Sequence, residues 1–298
     1  MVPMACFVTK LKKELFAKLQ NDLSAKGFAF TKPPYTIFSA RKPGLSVNLY
    51  ESGKLTVQGK DQEEFIRYYL EPEILQDFSF TQNKDNPNLS ARIGIDEAGK
   101  GDFFGPLCIG GIYADKKAIE QLIKIGVRDS KKMTDPKIEK LAAQIKQIVP
   151  YSIIRIFPTK YNLLYTKFQN LNELLAWGHA SAIEELSAKT GCRSAIIDKF
   201  ASEHVVERAL TKKGLEMDLT QITGGESDPV VAAASIIART AFVEGMRMLS
   251  KQVNLLLPKG AGPQVIVAGR NLVDRDGKEI LGDVAKLHFK TRGVILGA

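Results

Sequence analysis

The residues best suited to chemistry are two adjacent acids, Asp96 and Glu97. They follow the short segment 92–95, and the stretch 99–106 behind them contains three glycines and Lys100. The segment 92–95 predicts the end of a strand, so we expect the two carboxylates to point to opposite sides of it. Since Lys100 is the only obvious nearby partner, the negative charge is costly unless a cation binds from outside.

A divalent cation is the simplest candidate for that charge. Mg²⁺ prefers hard oxygen ligands and is usually held by one or two carboxylates together with phosphate oxygens of a substrate. Gly99 and Gly101 would let the backbone approach a sugar-phosphate chain closely, where amide N–H groups can cradle it. A bare Asp-Glu pair is more often an exposed acidic turn beside a glycine-rich bend, so the metal interpretation requires further acids at matching positions.

Further acids occur at two later points. The segment 192–197 predicts a short apolar strand that ends in Asp198. Because ligands in α/β sheets gather at strand ends, acids on neighbouring strands converge. The loop 224–229 carries Glu226 and Asp228 and leads into an alanine-rich helix, so it can bring a fourth carboxylate over the site. For either acid of this loop alone, capping of the helix is the more common role.

A phosphate-binding segment is predicted at 129–134. Ser130 and Lys131 lie just before a helix that starts at Pro136, and helix starts favour anions. A solvated helix cap fits the same residues. The net charge of +9 and the pI of about 9.3 favour a polyanionic partner such as nucleic acid, although a generally basic soluble protein has the same balance.

The length of 298 residues suggests two domains, because single cores usually stop growing near ~250 residues. Residues 1–80 predict a small α+β domain that binds substrate: an antiparallel three-stranded meander between two helices. The predicted elements are a helix over 9–26, strands over 35–40, 45–50 and 54–58, and a helix over 63–69. The polar segment 81–90 is the predicted linker, and 91–298 the predicted catalytic domain.

The aromatic side chains of the small domain allow two interpretations. Tyr35, Phe38 and Tyr50 lie among several lysines and arginines, so they can stack on a nucleic acid. They can equally form the core of the domain, and this is the more common arrangement.

Other features of the sequence predict a cytoplasmic protein. The N-terminal segment contains lysines before an apolar core as long as that of a signal peptide could form. We also expect no membrane-spanning segment. Three scattered cysteines form no metal-binding spacing and no even disulfide set. The histidines at 179, 204 and 288 lack the spacing of a zinc site, and the sequence assigns them no chemical role.

Four motifs together resemble the type 2 ribonucleases H, and most closely bacterial ribonuclease HIII. They are 94–106, 129–132, 197–201 and 232–239. The Gly-Lys-Gly at 99–101, the tail 286–291 and the additional N-terminal module favour ribonuclease HIII over ribonuclease HII. The resemblance covers essentially the whole chain.

The resemblance implies an α/β RNase H-like fold, a mixed five-stranded sheet flanked by helices. It also implies an N-terminal domain similar to a half of the TATA-box-binding protein. The implied activity is endonucleolytic cleavage of the RNA strand of an RNA–DNA hybrid, leaving 5′-phosphate and 3′-hydroxyl ends. The implied enzyme is a monomer with no obligatory protein partner.

The resemblance also implies the site residues. Asp96, Glu97 and Asp198 match three of the family's metal-binding acids, and Glu226 is our choice for the fourth, with Asp228 in reserve. They would hold two Mg²⁺ ions, with Mn²⁺ as a possible substitute, that activate water and stabilise the leaving oxygen.

The resemblance further implies how the substrate is recognised. The backbone of Gly99, Lys100 and Gly101, together with Glu97, would contact the 2′-hydroxyl that distinguishes RNA from DNA. Ser130 and Lys131 would hold nearby phosphates.

Two other classes remain open from the residues alone. The chain could be a non-catalytic hybrid-binding protein, or another two-metal nuclease such as a junction resolvase, since related folds host several such reactions. A nucleotide hydrolase is disfavoured, because no glycine-rich loop ends in Gly-Lys-Ser/Thr.

Overall fold

A computed structural model describes residues 6–77, 88–127, 133–198 and 203–297, without the side chains of Glu203 and Glu226. The chain divides into two compact units, Met1–Asn88 and Leu89–Ala298. Most of the predicted linker 81–90 and of the predicted phosphate-binding segment 129–134 lies outside the described residues.

The first unit contains an antiparallel sheet of five strands rather than the three predicted. In spatial order β1-β5-β4-β3-β2, it consists of β1 (Phe7–Lys10), β2 (Ala29–Thr31), β3 (Thr36–Lys42), β4 (Leu45–Tyr50) and β5 (Lys54–Gln58). The helices are α1 (Phe16–Ala25) and α2 (Gln62–Phe65), which continues as a π-helix over Ile66–Leu75. The sequence missed β1 and β2 because strands of three or four residues are too short to show an alternating pattern.

One face of this sheet packs on the helices through alternating apolar residues, as in β4, where Leu45, Val47 and Leu49 are buried. Phe38 belongs to this core and is only 2% exposed, whereas Tyr35 is 82% exposed. Phe38 is therefore a core residue, whereas the stacking of Tyr35 on a nucleic acid stays a prediction.

The second unit is built on a mixed sheet in the order β10-β9-β6-β7-β8. The strands are β6 (Arg92–Ala98), β7 (Leu107–Ala114), β8 (Tyr151–Ile156), β9 (Ser194–Asp198) and β10 (Asp218–Ile222). Strands β6, β7 and β8 pair antiparallel, while β9 pairs parallel with both β6 and β10. The mixed five-stranded sheet agrees with the expectation.

Helices cover both faces of the mixed sheet. In chain order they are α3 (Lys116–Lys124), α4 (Asp135–Ile148), α5 (Pro158–Phe168), α6 (Leu171–Thr190), α7 (Glu203–Lys212), α8 (Pro229–Gln252), α9 (Pro263–Asp276), α10 (Leu281–Val284) and α11 (Lys290–Leu296). One buried cluster packs α6 on the sheet, and another joins α4 and α8 to the opposite face.

Glycines in the sheet let α8 lie directly on the strands. A Cβ atom at Gly110 of β7 would be 2.5 Å from the carbonyl oxygen of Ala234 and 2.6 Å from the amide nitrogen of Ala238. Alanines on the facing side of α8 make the same close approach possible from the helix. The backbone of α8 is thereby fixed against the strands that carry the candidate acids.

The sequence led us to expect no membrane-spanning segment, yet α8 has the length and composition of one. However, 83% of its apolar stretch is buried inside the protein. Helix α8 is therefore a core helix of the second unit.

Candidate active site

Strand register places Asp96 beside Asp198. Strands β6 and β9 run parallel, and their pairing ends at Ile95 opposite Ile197, so the two acids are the next residues on neighbouring strands. Neighbouring strands are about 4.8 Å apart, and side chains at the same level point to the same face. Strand β6 continues to Ala98, so Asp96 lies within the strand and not after its end as predicted.

The α8 face of the sheet carries Asp96. The Ser235 hydroxyl of α8 donates a hydrogen bond to the Asp96 carboxylate, and the amide N–H of Glu97 donates to Asp96 Oδ1 over 2.8 Å. Both donors hold the carboxylate in one orientation.

Glu97 points to the opposite face, as the alternation of the strand predicts. Its Oε2 lies 3.1 Å from Nε2 of His179, a residue of α6 that is fully buried. Its Oε1 lies 3.6 Å from the Lys100 ammonium. Lys100 was expected as a partner of the acids, whereas His179 was not.

The two neighbouring acids differ in pKa. Burial and the negative charge of Glu97 raise the pKa of Asp96 to about 7. Burial by itself would also raise the pKa of Glu97, but the hydrogen bond and charge of His179 and the charge of Lys100 hold it below its ordinary value. Of these two acids, Asp96 is thus the one whose charge the protein compensates less.

The loop before α8 contacts Asp198 directly. The amide N–H of Gly225 donates to Asp198 Oδ1 over 3.0 Å. A Cβ atom at Gly225 would lie 3.0 Å from the Asp198 Cβ, so the loop backbone is packed against the acid. Glu226 is the next residue along this loop, and its side chain lies outside the described part of the structure.

Asp228, the reserve choice, has protein partners on both carboxylate oxygens. Its Oδ2 accepts a hydrogen bond from the Arg92 guanidinium over 2.7 Å, and both side chains are at least nine-tenths buried. Its Oδ1 accepts from the amides of Val230 and Val231 at 2.8 and 3.2 Å, so it caps α8. The ion pair and the cap leave Asp228 little capacity to bind a metal ion.

The Gly-Lys-Gly turn uses its two glycines differently. Gly99 is buried at a φ of +86°, and a Cβ atom there would be 2.3 Å from the carbonyl oxygen of Pro106. Gly101 is exposed, and a Cβ atom there would meet nothing within 4 Å. The fold therefore requires the first glycine but not the second. The other predicted substrate-binding residues, Ser130 and Lys131, lie outside the described residues.

The remaining histidines have different surroundings from His179. His204 has an 85% exposed side chain and lies 3.1 Å from Glu207. His288 stacks on the Tyr165 ring at 4.2 Å between centroids. One sequence signal could have indicated His179: it lies on the helical stripe that buries Leu175 and Leu186, where an ionisable residue needs a partner.

The donor set suits a hard divalent cation, because the converging groups are carboxylates. Burial and the negative charge of Glu97, which raise the pKa of Asp96, both disfavour its ionised form, and an added positive charge would offset this penalty. Among the described side chains, no group of three or more histidines, cysteines or acids is placed to hold a metal ion. Glu226 follows Gly225 along the loop that contacts Asp198, and its side chain is not among those described.

Two family profiles match the chain. The profile described as "Ribonuclease HII" matches residues 93–292, which include every described acid of the site. The profile described as "Domain of unknown function (DUF3378)" matches residues 6–82, within the first unit.

Two similar proteins are both ribonucleases HIII, and the similarity covers almost the full length of each chain. The chain is 50% identical to ribonuclease HIII of Protochlamydia amoebophila over 291 residues, which cover 98% of this chain and 97% of the relative. It is 48% identical to ribonuclease HIII of Chlamydia felis over 288 residues, which cover 96% and 95% of the two chains.

Solved structures of the same kind share the fold. Bst-RNase HIII in complex with Mn²⁺ matches with a TM-score of 0.70 and 28% identity, covering 98% of each chain. Aquifex aeolicus RNase H3 matches with a TM-score of 0.57 and 25% identity, covering 95% of this chain and all of the other. The mixed sheet is thus the RNase H-like fold that the motifs predicted. From the sequence identity, the family profile and the fold together, the chain belongs to the ribonuclease HIII family and is a ribonuclease H, an endonuclease of the hydrolase class.

Proposed function

We propose that this enzyme cleaves the RNA strand of RNA–DNA hybrids by two-metal-ion hydrolysis and leaves 5′-phosphate and 3′-hydroxyl ends. The strongest support is the position of Asp96 beside Asp198, on parallel strands that the core helix α8 fixes. Carboxylates brought together on a rigid sheet are the ligands that a pair of hard cations requires.

Asp96, Glu97, Asp198 and Glu226 are the proposed metal ligands. Mg²⁺ is the proposed ion, and Mn²⁺ a substitute, since the related Bst-RNase HIII was solved with Mn²⁺. When bound, two such ions activate a water for in-line attack and stabilise the leaving ribose oxygen. The side chains themselves orient the ions and do not attack the phosphate.

Glu226 is a better candidate than Asp228 for the fourth acid. Arg92 and the first turn of α8 occupy both oxygens of Asp228, and releasing them would break a buried ion pair. The contact of Gly225, the residue before Glu226, with Asp198 supports the choice of Glu226.

Substrate recognition is assigned to the backbone of Gly99, Lys100 and Gly101, with Glu97 as a contact for the 2′-hydroxyl. The open space at Gly101 supports this assignment, because a glycine that the fold does not require leaves room for a sugar-phosphate backbone. Ser130 and Lys131 would hold adjacent phosphates.

The first unit is the proposed hybrid-binding domain, and the enzyme is proposed to act as a cytoplasmic monomer without an obligatory protein partner. The positive net charge of the chain favours binding to a polyanion.

A cleavage assay with three labelled substrates tests the function. An RNA–DNA hybrid, duplex DNA and a four-way junction are each incubated with and without Mg²⁺. Only the hybrid should be cut, only with the metal present, and the products should carry 5′-phosphates. Cleavage of the junction would favour a resolvase, and binding of the hybrid without any products would favour a non-catalytic protein.

Variants of the acids test the mechanism. Asp96→Asn should abolish cleavage while hybrid binding survives, because the amide keeps the shape but not the charge. Glu226→Gln should behave in the same way. Asp228→Asn is the control: it should lower the free energy of unfolding by about 3 kcal/mol through the Arg92 pair, yet keep metal-dependent cleavage. Near wild-type cleavage by Asp96→Asn would contradict the metal site.

A further inference from the structure

The segment 284–286 forms a strap across the loop that follows the Gly-Lys-Gly turn. The amide of Gly105 donates to the carbonyl oxygen of Val284 over 2.9 Å, and the amide of Lys286 donates to the carbonyl oxygen of Phe103 over 2.8 Å. Phe104 and Ala285 form an antiparallel bridge between these bonds.

The side chain of Lys286 passes beneath the same loop. It is fully buried, and its ammonium donates to the carbonyl oxygens of Asp102 and Gly105 over 2.8 and 2.7 Å, with a third contact of 3.4 Å to that of Phe104. Burial lowers the pKa of Lys286 to about 8, although the negative charge of Asp102 acts in the opposite direction. An unbranched apolar side chain would avoid this desolvation cost but would leave these carbonyl oxygens without their donor, so the contacts with the loop are what offset the burial of the charge.

The strap is itself anchored to α5. The Asn162 amide group donates to the carbonyl oxygen of Ala285 over 3.0 Å and accepts from the amide of Leu287 over 3.0 Å. The strap is therefore attached to a helix of the core rather than to another loop.

The loop is held from a second direction as well. Asp102 Oδ1 accepts from the amide of Gly260 over 2.6 Å, and the amide of Phe103 donates to the Gly260 carbonyl oxygen over 2.8 Å. Residues 102–105 are thus fixed on two sides, whereas the adjacent Gly101 is exposed to open space.

We propose that Lys286 is a positioning residue: its ammonium binds the carbonyl oxygens of Asp102, Phe104 and Gly105 and so fixes the Gly99–Gly101 turn in the conformation that receives the hybrid backbone. This inference rests on the proposed function of that turn. A lysine suits the task because one ammonium has three donors and can bind several carbonyls that no single neutral side chain could satisfy.

Steady-state kinetics of Lys286→Met test the proposal. The KM for the hybrid should rise about 10- to 100-fold, because small displacements of a positioning loop weaken substrate contacts strongly, while kcat changes much less. The preference for hybrid over duplex DNA should fall in binding measurements. Lys278→Met, at an exposed position with the same change in charge, should leave all three quantities unchanged.

Asp102→Ala serves as a second variant, since it loosens the same loop from the Gly260 side and Asp102 is only partly buried. It should raise the KM in the same way even if Lys286→Met does not fold. Hydrogen exchange gives a direct readout: the Gly105 amide should exchange faster in Lys286→Met than in the wild type.

The proposal is overturned if folded Lys286→Met keeps its KM and its hybrid preference within about twofold of wild type, or if Lys278→Met shows the same losses. If the wild type cuts no hybrid, the proposed function fails instead. Hydrogen exchange of the Gly105 amide would then still decide whether Lys286 holds the loop.

Discussion

Asp96 and Glu97 are neighbours in sequence but have opposite electrostatic surroundings. Glu97 lies against His179 and Lys100, which lower its pKa, whereas burial and the charge of Glu97 raise the pKa of Asp96 to about 7. One acid is therefore already compensated by the protein, and the other favours the arrival of a cation. His179 contributes to this difference in pKa between the two acids, because it makes a buried contact with Glu97 on the α6 face.

His179→Ala tests this role at the residue scale. The loss of its contact frees Glu97 to rotate, so the affinity for Mg²⁺ or Mn²⁺ should fall about 10- to 100-fold, as for other residues that orient a metal ligand. Calorimetric titration of the enzyme with each ion measures this. His179→Gln, which keeps a donor, should retain more affinity than His179→Ala.

The control for that titration is His204→Ala. His204 is exposed, and its acidic neighbour is Glu207, which is not one of the proposed metal ligands. Its metal affinity should equal that of the wild type. Equal affinities for His179→Ala and the wild type would show that the contact with Glu97 has no influence on metal binding.

At the scale of elements, α8 and the sheet together determine where the acids lie. The close approach at Gly110 fixes the helix on β7, Ser235 of α8 holds Asp96, and Asp228 at the start of α8 binds Arg92 of β6. The N-terminal half of the helix thus supports the site, and the loop before it reaches Asp198 through Gly225.

Gly110→Ala tests this packing. The added methyl group would meet the backbone of Ala234 and Ala238, and overpacking of this kind should lower the free energy of unfolding by about 2–3 kcal/mol. Denaturant unfolding measures the change. Gly282→Ala is the matched control, because a Cβ atom there meets nothing within 4 Å, and it should unfold at nearly the wild-type midpoint. Equal midpoints for both variants would contradict the close packing.

At the scale of the whole molecule, two units have separate cores and separate proposed tasks. The described acids of the site all lie in the second unit, whereas the first unit buries its own apolar cluster around Val47 and Leu49. An enzyme divided in this way can change its affinity for substrate without changing the chemistry of the bound complex.

Deletion of residues 1–85 tests the division. The dissociation constant for the hybrid should rise more than tenfold, because the proposed binding domain is lost, while single-turnover cleavage of saturating hybrid should remain close to the wild-type rate. Binding titrations and single-turnover assays measure the two quantities separately. Unchanged affinity would mean that the first unit does not bind the hybrid.

The sequence by itself determined the family, the mixed sheet and the catalytic class, because motifs such as 94–106 and 232–239 carry them locally. The convergence of Asp96 and Asp198 follows from alternation and from the rule for α/β sheets, although Asp96 lies within β6 and not after its end. Their roles as metal ligands, and those of the substrate-binding residues, stay predictions.

Only the tertiary structure decided which partners these residues have. The contacts of His179 with Glu97, Arg92 with Asp228, and Lys286 with Asp102 join residues 82, 136 and 184 positions apart. No local pattern encodes such pairs, because each depends on how helices pack on the sheet and which buried charge each side chain then meets. The physical reason is that burial makes a partner obligatory for a charged group, while the fold alone determines which partner is within reach.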